Sequence, residues 1–96
     1  MITRIFRVRI DPSLRTEFEE DFKRVSIAAV QAQDGFISVE IGQPTAWTPD
    51  EYVMISRWEN EAALRNFVGE NWNEAHIPDG MEKYVGECWV HHFREF

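Results

Sequence analysis

The sequence predicts an α+β fold in the order β-α-β-β-α-β. Three observations carry this. Four segments, at 2–10, 36–42, 52–58 and 84–96, carry apolar residues at the two-residue period of a strand. Two segments, one after the first strand and one after the third, carry apolar residues at the three- and four-residue spacing of a helix. The breaks fall at Asp11-Pro12, Asp34-Gly35, the stretch 43–50 with two prolines, and Pro78-Asp79-Gly80.

In the first strand Ile2, Phe6, Val8 and Ile10 share one phase, with Arg7 and Arg9 on the other. Asp11-Pro12-Ser13 reads as a helix start, with Asp11 as cap and Pro12 at the first helical position. The helix runs to about Gln31, with Leu14, Phe18, Phe22, Val25 and Ala29 as its apolar face and Glu17, Glu19, Glu20, Asp21, Lys23 and Arg24 on its wet side. Asp34-Gly35 turns the chain into a second strand, Phe36 to Gly42, with Ile37, Val39 and Ile41 on one face. The third strand, Tyr52 to Trp58, sets Tyr52, Met54, Ser56 and Trp58 against Val53, Ile55 and Arg57. Asn60 caps a second helix with Ala63, Leu64, Phe67 and Val68 as its buried stripe, and Gly69 ends it. A short helical piece is expected over 71–76. The last strand has Trp89, His91 and Phe93 in one phase, and Cys88, Val90, His92 and Arg94 in the other.

This order is that of the ferredoxin-like split unit, a four-stranded antiparallel sheet with two helices on one face. A sheet covered on one side should show polar residues on the other. Here both phases carry large apolar residues: Phe6 and Ile5, Val39 and Phe36, Met54 and Ile55, Val90 and Trp89. The second face therefore calls for a cover, most economically a second copy of the chain. A homodimer is expected, its sheets facing each other as an α+β barrel, with pockets between sheet and helices or inside the barrel.

Ninety-six residues suit a single domain spanning 1–96. A formal net charge of −7 argues against nucleic acid, which needs clustered cations. Arg4, Arg7 and Arg9 alone cluster, and they read as a solvated strand edge. One cysteine, Cys88, excludes an intrachain disulfide and reads as a small buried hydrophobe. With no long apolar run and no secretory leader pattern, no membrane partner and a cytoplasmic location are expected.

Three histidines are the candidate proton carriers. His76 lies just past the second helix, where a loop can lean over a pocket, and can shuttle protons near neutral pH or ligate iron. His91 and His92 are adjacent on a strand, so they face opposite sides and cannot share a metal. No His, Cys and Asp spacing suggests a metal site. Trp58 is either a core ring or a pocket wall; Tyr52, Met54 and Ser56 share its phase, which would make an apolar wall suited to a flat hydrophobic ligand.

Several of these segments together resemble a known family. Asp34-Gly35-Phe36 is similar to its Gly-Phe turn. Tyr52 to Trp58 followed by Glu61-Ala62-Ala63-Leu64 and Phe67 is similar to its strand-to-helix block. His92-Phe93 is similar to the His-aromatic pair of its last strand. On these motifs the chain resembles the antibiotic biosynthesis monooxygenase (ABM) family of dimeric α+β barrels. The resemblance implies two chemistries. One branch oxidises phenols or quinols with dioxygen as co-substrate and no bound cofactor; it pairs a third-strand Trp, matched by Trp58, with an Asn whose place is taken by Met54. The other degrades haem through an Asn on the first strand, a Trp on the second helix and a His after it; Phe6, Phe67 and His76 stand at or near those places. The expected site is therefore His76 and His92 for the proton, and Trp58, Met54, Phe6 and Phe67 for the ligand. The expected activity is oxygenation of an aromatic or quinol-type compound. The alternatives are a non-catalytic binder of a hydrophobic small molecule and a haem-binding relative.

Overall fold

A computed structural model describes residues 1–96. Strands β1 (Ile2–Ile10), β2 (Phe36–Gly42), β3 (Glu51–Trp58) and β4 (Val85–Arg94) form one antiparallel sheet in the order β2-β3-β1-β4. The first helix covers residues 12–31 and the second Glu61–Val68. This is the ferredoxin-like α+β arrangement expected from the sequence, with the core between the helices and one sheet face. No helix is long and apolar enough to cross a membrane.

The inner face of β3 follows its alternation, with Tyr52, Met54, Ser56 and Trp58 all buried. On β1 the inward set is Ile2, Arg4, Phe6, Val8 and Ile10. Arg4 thus departs from the solvated edge expected of it. It has the same parity as its apolar neighbours and is only 5% exposed, whereas Arg7 and Arg9 lie outside over the Trp89 ring. On β2 a register shift between Phe36 and Ser38 inserts one residue. Phe36, Val39 and Ile41 pack inward, and Ile37, expected beside Val39, is exposed.

The first helix is not uniform. A 3-10 turn, Pro12–Leu14, capped by Asp11 through the Ser13 N–H (2.9 Å), leads into α-helix Arg15–Asp21, a π-helical stretch Phe22–Ser26 and α-helix Ile27–Gln31. The wider i→i+5 turn delays the inward face. The fully buried positions are Phe18, Phe22, Ser26 and Val30, and the Val25 and Ala29 expected there are half-buried. Phe18 packs with Phe22, Tyr52 and Tyr84 at ring-centroid distances of 4.8, 4.7 and 5.6 Å. Two of the expected wet-side carboxylates anchor this cluster. The Tyr52 hydroxyl donates to Glu19, and that of Tyr84 donates to Asp21 at 2.7 Å. The second bond holds the Asp21 carboxyl below its usual range and raises the Tyr84 phenol to about 12.

Asn60 caps the second helix as expected, accepting from the Ala63 N–H at 2.9 Å, and Gly69 ends it at φ +90°. The helix sits tight on the turn before β2. A Cβ added at Gly35, itself at φ +82°, would lie 2.4 Å from that of Ala63. The expected helical piece over 71–76 does not form. One turn closes there, Glu74 N–H to Asn71 C=O at 2.9 Å, and the segment runs as an irregular strap.

Candidate functional site

Two cross-strand rows cross the inner face of the sheet. One is Met54–Phe6–Val90 and the next is Ser56–Arg4–His92, each a set of directly opposed residues on β3, β1 and β4. Between this floor and the first helix lies a narrow slot whose interior leaves about 50 Å³ for the centres of water-sized molecules. Phe18, Phe22, Ser26 and Val30 roof it, Phe67 walls it, and His76, Ile77, Pro78 and Met81 close it from the strap. Its lining is mainly apolar, as ligand sites generally are.

Of the residues singled out from the sequence, Phe6, Met54, Phe67 and His76 line this one cavity. His76 is exposed and stands at the mouth, its imidazole tilted against the Phe67 ring with centroids 4.9 Å apart. Trp58 and His92 do not line it. Trp58 is fully buried one layer behind, stacked on Phe67 at 5.3 Å and edge-on to Phe36 at 6.0 Å. Its indole N–H donates to Ser56 Oγ at 3.0 Å. With that lone pair used, the Ser56 hydroxyl proton is free to donate elsewhere.

His92 lies behind Arg4, its ring edge-on to Trp72 at 4.5 Å. Arg4 Nη1 donates to His92 Nε2 at 2.9 Å, so that nitrogen must be unprotonated. Burial, then the charges of Arg4 and His91, push the His92 imidazole down to about 4; Glu61 alone opposes the shift. His92 is therefore neutral near pH 7. His91 points out of the other sheet face and is exposed, as adjacency requires.

The residue that sequence reasoning missed is Arg4. Its Nη1 donates to the Trp72 carbonyl at 2.6 Å and its Nη2 to the Glu74 carbonyl at 2.9 Å. One guanidinium thus ties the strap that carries His76 to the floor of the slot. The signal was its parity with Ile2, Phe6, Val8 and Ile10. Ser26 had no such signal, since its inward position depends on the π-helical stretch.

A profile of the antibiotic biosynthesis monooxygenase family matches residues 1–77. The chain belongs to the ABM family. No curated protein matches it in sequence. Solved structures share its fold at low identity. SnoaB, a cofactor-independent oxygenase from Streptomyces nogalater, is 18% identical with a TM-score of 0.74, over 98% of this chain and 91% of that one. MhuD, a haem degrader from Mycobacterium tuberculosis solved with two haems in its active site, is 15% identical with a TM-score of 0.72, over 99% and 95%. A conserved protein from Methanosarcina mazei is 18% identical with a TM-score of 0.75, over 99% and 92%. At these identities the likeness concerns the fold of this ABM chain, not its substrate.

Proposed function

We propose that this ABM protein is an oxygenase that takes a flat aromatic or quinol-type molecule into the slot and oxidises it with dioxygen, without a bound cofactor. The observation that supports this reading is the convergence of Phe6, Met54, Phe67 and His76 on one apolar slot. The rings and the thioether hold the substrate face and keep water from it. An electron-rich aromatic anion supplies the electrons for dioxygen, and a water-poor site stabilises that anion only where polar groups meet it. His76 at the mouth takes the hydroxyl proton. His92, its Nε2 already engaged by Arg4, positions Arg4 rather than touching substrate. Oxygen uptake over a panel of quinols tests the proposal. Uptake above the uncatalysed rate is expected, falling by about 10²-fold in His76→Ala. Background rates with every quinol, unchanged by the substitution, would refute it.

Met54, in the place of the family's Asn, favours a second reading, a non-catalytic binder of the same molecules. It would carry a ligand through purification, identifiable by mass spectrometry, and return it unchanged. The haem branch fits less well. Phe6 and Phe67 occupy two of its three places and narrow the slot, leaving His76 alone. Haem titration is expected to give no Soret shift.

A second copy of the chain is proposed to cover the outer sheet face, where Ile5, Val53, Ile55, Trp89 and the exposed Phe93 lie unpartnered by any helix. Sedimentation equilibrium at micromolar concentration should give twice 11.3 kDa, and the single-chain mass would contradict this.

A further inference from the structure

Arg4 is the only buried side chain that carries a charge at neutral pH, and no ion pair cancels it. It is 5% exposed and takes part in no ion pair within 4.0 Å. Its partners are two carbonyls and the neutral His92 ring. These dipoles solvate a guanidinium but leave its charge in place, and a charge removed from water is costly unless paired. Burial lowers its pKa only to about 10, so Arg4 stays protonated near pH 7.

Arg4 also keeps donor capacity that the protein does not use. Arg4 lines the slot, and the Nε–H has no acceptor in the protein. No buried side-chain polar atom is sealed off without a partner, so that Nε–H is not walled in. Directly across the strand pair stands Ser56, also lining the slot, with Trp58 holding its oxygen so that its proton points elsewhere. A cation and a hydroxyl, side by side on the floor of an apolar slot, are what one carboxylate needs. A phosphate would need a second cation, and no lysine or other arginine lines the slot.

The geometry points to an anion subsite made of the Arg4 Nε–H and the Ser56 hydroxyl, which makes the slot selective for a flat apolar molecule bearing one carboxylate. This rests on the reading of the slot as the ligand site. A bound carboxylate supplies the counter-charge that Arg4 lacks, and Trp58 acts as a positioning residue through Ser56.

Calorimetric titration with 2-naphthoate and with methyl 2-naphthoate near neutral pH tests the subsite. The wild-type protein should bind the acid about tenfold tighter than the ester or better, the usual worth of a charged hydrogen bond. Ser56→Ala should weaken the acid several-fold and leave the ester alone. Arg4→Met, with folding checked by circular dichroism, should bring the two affinities within about twofold of each other. Arg9→Gln, on the outer face, should keep the full preference. Equal binding of acid and ester by the wild-type protein overturns the subsite but leaves the slot reading standing. A preference that survives in Ser56→Ala and in folded Arg4→Met also overturns the subsite. Failure of the wild-type protein to bind either probe overturns both.

Discussion

Gly35→Ala is expected to cost far more than a glycine substitution normally does, because two separate penalties meet there. The first is conformational. At φ +82° a side chain enters the left-handed region, at about 1–2 kcal/mol. The second is steric. The new Cβ would lie 2.4 Å from that of Ala63, a methyl with no rotamer to yield, so the second helix must move off the turn. Overpacking of this kind costs about 1–3 kcal/mol. The sum, roughly 2–5 kcal/mol, is a large part of the stability of a domain this size. Gly80 separates the two terms. It has φ +90° but nothing within 4 Å of a new Cβ, so Gly80→Ala should cost only the first. Urea unfolding of both variants measures the difference. Adding Ala63→Gly to Gly35→Ala should recover the steric part, less about 1 kcal/mol for glycine in a helix. The reasoning is refuted if Gly35→Ala and Gly80→Ala cost the same, or if the double substitution shows no coupling. Since the same helix carries Phe67, the displaced form should also bind slot ligands more weakly.

Two further outcomes are expected. The unfolded chain protonates His92 near pH 6.5, whereas the folded chain resists until about 4. The unfolded state thus holds more protons in this window, so stability falls as pH drops from about 6.5 to about 4 and is insensitive to His92 above it. Urea melts of wild type and His92→Gln across this range should diverge, with the variant flatter; parallel curves would contradict it. Trp58→Phe should lose about 2–4 kcal/mol, from the space left behind Phe67 and the lost bond to Ser56, measured by thermal melting. A loss under about 0.5 kcal/mol would mean that Trp58 does not support that wall.

The fold was legible because β1 and β3 keep a two-residue alternation and because Asp11, Asn60, Gly35 and Gly69 are punctuation with defined physical jobs. Four expected details failed for reasons a one-dimensional pattern does not hold. The π-helical stretch replaces Val25 and Ala29 with Ser26 and Val30, and the bulge in β2 turns Ile37 outward. Residues 71–76 form a single turn and no helix, and their Trp72 and Glu74 carbonyls accept from Arg4, a contact distant in sequence. Arg4 shares the charge of Arg7 and Arg9, but its parity places it with the core. The candidate site was half legible as a place in the fold. Phe6, Met54, Phe67 and His76 do meet, while Trp58 and His92 stand one layer back, since adjacency in a motif says nothing of depth.

The slot as the ligand site is tested most directly by methyl resonances of the methionines. Met54 and Met81 line the slot, and Met1 lies 41% exposed outside it. With methyl-labelled methionine and 2-naphthol as a flat aromatic probe, the Met54 and Met81 signals should shift together along one saturable curve while Met1 stays still. Saturable binding that leaves Met54 and Met81 unmoved would contradict the assignment of the slot.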